Sequence, residues 1–160
     1  MTGNLKPKLG AILLAAGGSS RLGRTKQLVQ FGGETLLRRA ARTLTETEYF
    51  PIVVVLGAEP DSSFEEIKGL AVHAVINPSW SRGMSSSIRK GLETVIEIEP
   101  EISGVLITLC DQPRISAKML NQFSDRYTEN NAAVVAAAYN GVAGVPALFS
   151  KQLFGELTAL

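Results

Sequence analysis

Five apolar runs divide this chain, and glycine, asparagine, proline or aspartate closes each of them. The first, LGAILLAAG from Leu9, is too short and too glycine-punctuated for a helix and predicts a strand buried on both faces. IVVVLG (Ile52 to Gly57) is a second buried strand rich in β-branched residues, and AVHAVI (Ala71 to Ile76), closed by Asn77 and Pro78, is a third. GVLITLCD (Gly104 to Asp111) and AAVVAAAY (Ala132 to Tyr139) complete the set. Between them, Thr35 predicts the cap of a helix from Leu36 to about Thr47. Asp61, Ser62 and Ser63 offer caps for a short helix toward Lys68, with Ser62 and Glu65 at capping-box spacing. Ile88, Leu92, Val95 and Ile96 recur at helical spacing, and Ser116 predicts a helix through about Asn130. Gly32 and Gly33 predict a turn, NGVAGVPALFS a glycine-rich loop with a short apolar piece, and Lys151 to Leu160 a last helix. Strand and helix alternate without repeat or low-complexity linker. That alternation predicts a three-layer α/β/α sandwich with a mainly parallel central sheet.

Composition narrows the chemistry more than the fold. Hydrophobic residues make up 45% and charged residues 19% of 160 residues, enough to bury a real core in one domain. A net charge of +1 gives no electrostatic case for nucleic acid or an acidic membrane surface. No apolar run approaches the roughly 20 residues of a membrane span, and MTGNLKPK lacks a signal-peptide core. The one cysteine, Cys110, forms neither an internal disulfide nor a zinc site, so a cytoplasmic location is expected. The one histidine, His73, removes histidine-based triads. Chemistry must therefore run on carboxylates, lysine, arginine and hydroxyls.

The candidate chemistry gathers where strands end. After the first strand, Gly17 to Ser20 are four small residues that let backbone N–H groups approach a ligand, and Arg21, Arg24 and Lys26 follow closely. Donors and cations after a central strand suit the phosphates of a nucleotide; the alternative is a connector with solvated charges. Asp111 ends the fourth strand, where a lone carboxylate suits Mg²⁺ held mainly by phosphate and water, or else caps the turn before Pro113. In a parallel sheet the Gly17 loop, Asn77 and Asp111 fall along one edge. Gly17, Gly18 and Gly23 do not fit the dinucleotide spacing G-x-G-x-x-G. Gly18 to Gly23, followed by Arg24 and Thr25, approximates a P-loop. Arginine does not replace the compact lysine ammonium there, and Gly32 and Gly33 interrupt the long helix that a P-loop must open into.

LAAGGSSRLGRTK resembles the signature loop of nucleotidyltransferases with a GT-A-like, Rossmann-like fold. With NPSWSRGMSSSIRKGL, CDQP and GVPALF in order, the chain from Leu9 to Phe149 resembles the molybdenum-cofactor cytidylyltransferases. That resemblance implies Mg²⁺-dependent transfer of a cytidylyl group from CTP to a phosphorylated pterin-type acceptor, with a molybdoenzyme or its chaperone as a candidate protein partner. It implies that Leu14, Ala15, Ala16, Gly17 and Gly18 present backbone to the nucleoside, that Arg21 and Lys26 meet the triphosphate, that Ser87 contacts the nucleotide and that Asp111 binds the metal. Gly144 to Phe149 would border the acceptor pocket, Gly91 would serve close helix packing, and Cys110 and Trp80 would pack rather than react. Ala16 resembles the cytidylyl branch, since guanylyl members tend to carry glycine there. The family usually continues with a segment resembling Gly-Asp-x-Gly-Ala-Arg, so residues 1–160 are expected to be one nucleotidyltransferase domain without that segment, and Glu156 does not match it. Other readings are a guanylyl or sugar- or alcohol-phosphate nucleotidyltransferase, and a non-catalytic nucleotide-binding module.

Overall fold

The first apolar run becomes β1 (Leu9–Ala15), and the rest of the main sheet assembles around it. The computed structural model describes residue 3 and residues 5–18 and 25–160. In chain order the further elements are β2 (Gln30–Phe31), β3 (Glu34–Thr35), α1 (Leu36–Thr45), β4 (Ile52–Leu56), α2 (Pro60–Ile67) and β5 (His73–Ile76). They are followed by α3 (Met84–Ile98), β6 (Gly104–Leu109), α4 (Ala117–Asn130), β7 (Val134–Tyr139), β8 (Val142–Ser150) and α5 (Phe154–Thr158). Six strands form one sheet in the order β5-β4-β1-β6-β8-β7. The first four run parallel, β8 runs antiparallel to β6, and β7 antiparallel to β8.

β1 alternates between two core layers, as a strand covered on both faces must. Leu9, Ala11, Leu13 and Ala15 pack with Leu37, Ala41 and Leu44 of α1 and Leu120 of α4. Ile12, Leu14 and Ala16 pack with Ile88, Leu92 and Val95 of α3 and with Phe154 and Leu157 of α5. α3 comes close because Gly91 carries no side chain: a Cβ there would lie 2.6 Å from Ile12 Cγ2. Two caps act as the sequence predicts. Thr35 Oγ1 accepts the Arg38 N–H at 3.1 Å, and Ser116 Oγ accepts the Met119 N–H at 3.2 Å. Gly32 and Gly33, at φ 59° and 87°, form the two-residue turn between β2 and β3.

Three expectations need correction. α2 begins with Pro60 in its first turn, preceded by Glu59 in the left-handed region at φ 51°; Asp61, Ser62 and Ser63 lie inside the helix rather than capping it. The stretch read as a glycine-rich loop after Asn140 is β8, a nine-residue strand between β6 and β7. Asn140 and Gly141 take positive φ and turn the chain, and Val145 and Pro146 fall in the register shift between Ala136 paired to Ala147 and Ala137 paired to Gly144. A proline without an N–H is tolerated at such a bulge. The last helix is short, a 3-10 turn at Lys151–Leu153 followed by α5.

Candidate functional site

The carboxyl ends of β1 and β6 and the start of α3 enclose a cleft of about 410 Å³, large enough for a nucleotide-sized ligand. Leu14, Ala15, Ala16, Gly17 and Gly18 form one wall, Leu109, Cys110 and Asp111 a second, and Trp80, Ser81, Gly83, Met84 and Ser87 a third; Lys26 and Gln27 close the ring. Eight of the nine residues that the family resemblance assigns to the site therefore meet at one place. Arg21 lies outside the described residues.

Lys26 is held in place by its neighbours. The Thr25 hydroxyl donates to Glu59 Oε2 at 2.8 Å, and Gln27 Nε2 donates to the Ala15 carbonyl at 3.1 Å; both side chains are buried. Between these anchors the Lys26 side chain stays exposed, and its Nζ stands 3.4 Å from Asp111 Oδ2. An ion pair that open to water is worth under about 1 kcal/mol, so a phosphate or metal can part it at little cost. Lys26 begins a three-residue 3-10 turn that leads into the β2–β3 turn, not into a long helix. That geometry disposes of the P-loop alternative.

Trp80 does more than fill space. A Cβ on Gly18 would lie 3.0 Å from its ring, and a Cβ on Gly57 would lie 2.6 Å from its Cβ and 2.4 Å from the Ala16 carbonyl oxygen. The indole thus lies over the end of β1, and Gly57 leaves room for it. Beneath it, buried Asn77 donates from Nδ2 to Ser86 Oγ at 2.9 Å and to Ser87 Oγ at 3.0 Å. Burial, with the Asp111 charge beside it, pushes the Cys110 thiol up to about 12, so it is protonated and inert at neutral pH. Gly144 to Phe149 do not line this cleft; Val145 and Phe149 pack behind it in the same core cluster as Leu14 and Ala16, and Gln112 Nε2 donates to the Val145 carbonyl at 3.0 Å.

Sequence reasoning passed over Gln27 and Glu59, gave Thr25 a place only in the P-loop comparison, and marked Asn77 only as a polar signal at a strand end. Their signal was faint: a polar residue beside a cation, or after a strand, reads as surface until its long-range partner is known. Among the described residues no three histidine, cysteine or acidic side chains cluster as a ready-made metal cage. Asp111 is a single carboxylate, which fits a hard divalent ion that keeps its waters and takes further oxygens from a bound phosphate.

Known proteins resemble this chain in sequence and in fold. The chain is 31% identical to nicotine blue oxidoreductase of Paenarthrobacter nicotinovorans over 137 residues, 85% of this chain and 64% of that protein. It is 30% identical to a probable molybdenum cofactor guanylyltransferase of Opitutus terrae over 138 residues, 86% of this chain and 64% of that protein. It therefore spans just under two thirds of the length of these curated relatives. The crystal structure of Rv0371c from Mycobacterium tuberculosis H37Rv matches with a TM-score of 0.84 at 25% identity, over 97% of this chain and 77% of that one. The same protein in complex with manganese matches with a TM-score of 0.76 at 24% identity, over 96% and 76%. The family model of the MobA-like NTP transferase domain matches residues 11–160, and the chain belongs to that family.

Proposed function

We propose that this chain carries the nucleotide site of a nucleotidyltransferase, one that moves a cytidylyl group from CTP to a phosphorylated pterin-type acceptor and releases pyrophosphate. One observation carries the reading: a lysine and a lone carboxylate meet at 3.4 Å at a cleft whose opposite wall is uncharged. The charged pair suits a triphosphate with its metal, and the wall of Trp80, Gly83, Met84 and Ser87 suits a base and ribose. In the reaction an acceptor phosphate oxygen attacks the α-phosphorus of CTP in line. The bond from that phosphorus to the bridging oxygen breaks, and its electrons leave with pyrophosphate. The acceptor is already an anion, so no general base is needed, in keeping with a chain that has one histidine. Lys26, with Arg21 by its place in the motif, offsets charge on the phosphates, and the backbone of Leu14 to Gly18 orients the nucleoside. Asp111 would hold the divalent ion, Mg²⁺ in this reading, which supplies charge neutralisation on the triphosphate. Manganese in the Rv0371c complex supports a divalent ion of this kind.

Cytidylyl rather than guanylyl transfer rests on Ala16, whose methyl group narrows the slot beside the backbone; the Opitutus relative is named for guanylyl transfer. Hydride chemistry, after the name of the Paenarthrobacter relative, lacks the glycine spacing of a dinucleotide loop. Calorimetric titration with CTP and GTP, with and without Mg²⁺, tests the reading, followed by pyrophosphate release in the presence of molybdopterin. The expected result is Mg²⁺-dependent binding that favours CTP by about 1–3 kcal/mol and is lost in Asp111→Asn. Binding that ignores Mg²⁺ and survives Asp111→Asn overturns the metal site, and tighter GTP binding moves the chain to the guanylyl branch.

A further inference from the structure

The hydrogen bonds under Trp80 have a direction, and the direction says what Ser87 can recognise. The Ser79 N–H donates to Asn77 Oδ1 at 3.0 Å, and a backbone N–H can only donate. That bond orients the Asn77 amide, so its Nδ2 must face the serines. Both amide protons are then used, one on Ser86 Oγ at 2.9 Å and one on Ser87 Oγ at 3.0 Å. The Ser86 proton goes back to the main chain, to the carbonyls of Gly83 at 2.9 Å and Ser79 at 3.0 Å. Ser87 differs. Its oxygen accepts from Asn77, and among the described residues no acceptor is paired with its own proton. Asn77 and Ser87 are both buried, so water does not compete freely for that proton, and Ser87 lines the cleft.

We infer that Asn77 is a positioning residue that makes Ser87 a hydrogen-bond donor toward the ligand, so that this wall selects an acceptor atom, a carbonyl oxygen or unprotonated ring nitrogen, on the nucleotide's base. The inference rests on the nucleotide reading of the cleft. The positive end of α3, which begins at Met84, favours the same kind of electron-rich atom. A donor facing a donor, such as an exocyclic amino group, would leave two buried protons opposed. The wall therefore sorts bases by the edge they present as well as by size.

Asn77→Asp tests the direction with almost no change of shape. A carboxylate at this position accepts from Ser87, turns that hydroxyl around and leaves only lone pairs facing the ligand. It also adds a charge, so it is measured in two backgrounds, Ser87 and Ser87→Ala, beside the uncharged Asn77→Ala. Dissociation constants for CTP and GTP with Mg²⁺ are read together with each variant's melting temperature. Ser87→Ala is expected to weaken binding about tenfold, the scale of one unmade buried hydrogen bond. Asn77→Asp should cost at least as much with Ser87 present and clearly less once Ser87 is alanine; Asn77→Ala should follow the same pattern with a smaller loss. If either Asn77 variant loses equally in both backgrounds, Asn77 is a structural strut only and the inference is overturned. No effect of Ser87→Ala overturns it as well. Should Asn77→Asp fail to fold, Asn77→Ala decides. Failure of the wild-type chain to bind any nucleoside triphosphate would instead strike the functional reading, so the two failures are distinguishable.

Discussion

β1 and β7 are both short, uncharged and apolar, and the same sheet treats them in opposite ways. β1 lies between β4 and β6, and all seven of its residues are buried. β7 pairs only with β8, and none of its six residues is buried. Apolar content makes both of them strands; the number of layers and neighbours decides how much water each one sees. The consequence is functional. Within the parallel half β4, β1 and β6 are covered by two helical layers, so Gly17 and Asp111 leave from fixed points; Asn77 follows the open edge strand β5 and is held instead by its own buried hydrogen bonds. The antiparallel half extends the sheet without supplying a wall of the cleft. A site that depends on positioning belongs on the half that cannot shift.

Truncating one apolar residue in each half puts the largest number on that contrast. Leu13 in β1 is fully buried, whereas Val134 in β7 is 42% exposed. Leu13→Ala should cost about 2–5 kcal/mol of unfolding free energy by urea titration, and Val134→Ala under about 1 kcal/mol. Comparable losses would mean that β7 is covered in solution and would erase the difference between the halves.

Adding a methyl group probes the same contrast from the other side. Gly57 follows β4, and its Cβ would strike the Ala16 carbonyl and Trp80; Gly144 in β8 has nothing within 4 Å of that position. Gly57→Ala should cost about 1–3 kcal/mol and weaken nucleotide binding, because the atoms it displaces are the cleft wall. Gly144→Ala should leave both measurements nearly unchanged. An unaffected Gly57→Ala protein would show that Trp80 is free to move.

The two halves also differed in how readable they were. β1, β4 and β6 stand out as runs of branched apolar residues ending in glycine or a lone acid, and that pattern fixes strand, burial and edge together. Thr35 and Ser116 were legible as caps because a cap bonds three residues away. β8 was not legible: Gly144 and Pro146 read as loop, and only the bulge against β7 lets the chain stay paired past them. Among the candidate site residues, the small residues after β1, Lys26 and Asp111 suggest phosphate and metal chemistry in the sequence by residue type alone. The tether from Gln27 to Ala15, and that from Thr25 to Glu59, join positions 12 and 34 apart, and nothing local to either partner marks them.

Removing one positive charge from each edge of the sheet gives the next contrast in size. Lys26 stands at the carboxyl edge beside Asp111. Lys151 follows β8, whose Ser150 pairs with Gly104 at the opposite, amino end of β6. The field of the whole molecule loses the same charge in either variant. Lys26→Ala should weaken Mg²⁺–nucleotide binding at least tenfold, about 1.4 kcal/mol, for the loss of a direct charge-assisted contact. Lys151→Ala should change it less than about twofold at the same ionic strength. Equal effects would reduce Lys26 to one more contributor to the overall field.

Acid gives the smallest effect, and it should distinguish the small β2–β3 sheet beside α1 from the β7–β8 hairpin. Glu34 in β3 accepts from Arg42 Nη2 at 2.6 Å and Nε at 3.2 Å, and Arg39 Nη1 stands 3.5 Å from it. The Arg42 hydrogen bond, against some desolvation, holds the Glu34 carboxyl below its ordinary value of 4.5. A carboxyl with a depressed folded pKa favours the folded state above its unfolded pKa, and that stabilisation is lost as pH falls through the lower folded value. Glu34 should therefore contribute fully at pH 6, and its share, under about 1 kcal/mol for so small a cluster near the surface, should fade below about pH 4.5. Glu34→Gln should lower stability at pH 6 and converge on the wild type once pH has fallen through the depressed folded value. Among the described residues no ion pair involves β7 or β8. Hydrogen exchange across the same pH range, corrected for intrinsic rates, should accordingly show β3 speeding up as pH falls while the β7–β8 hairpin holds its rate. If the hairpin speeds up equally, the Glu34 pairing is not what separates the two regions.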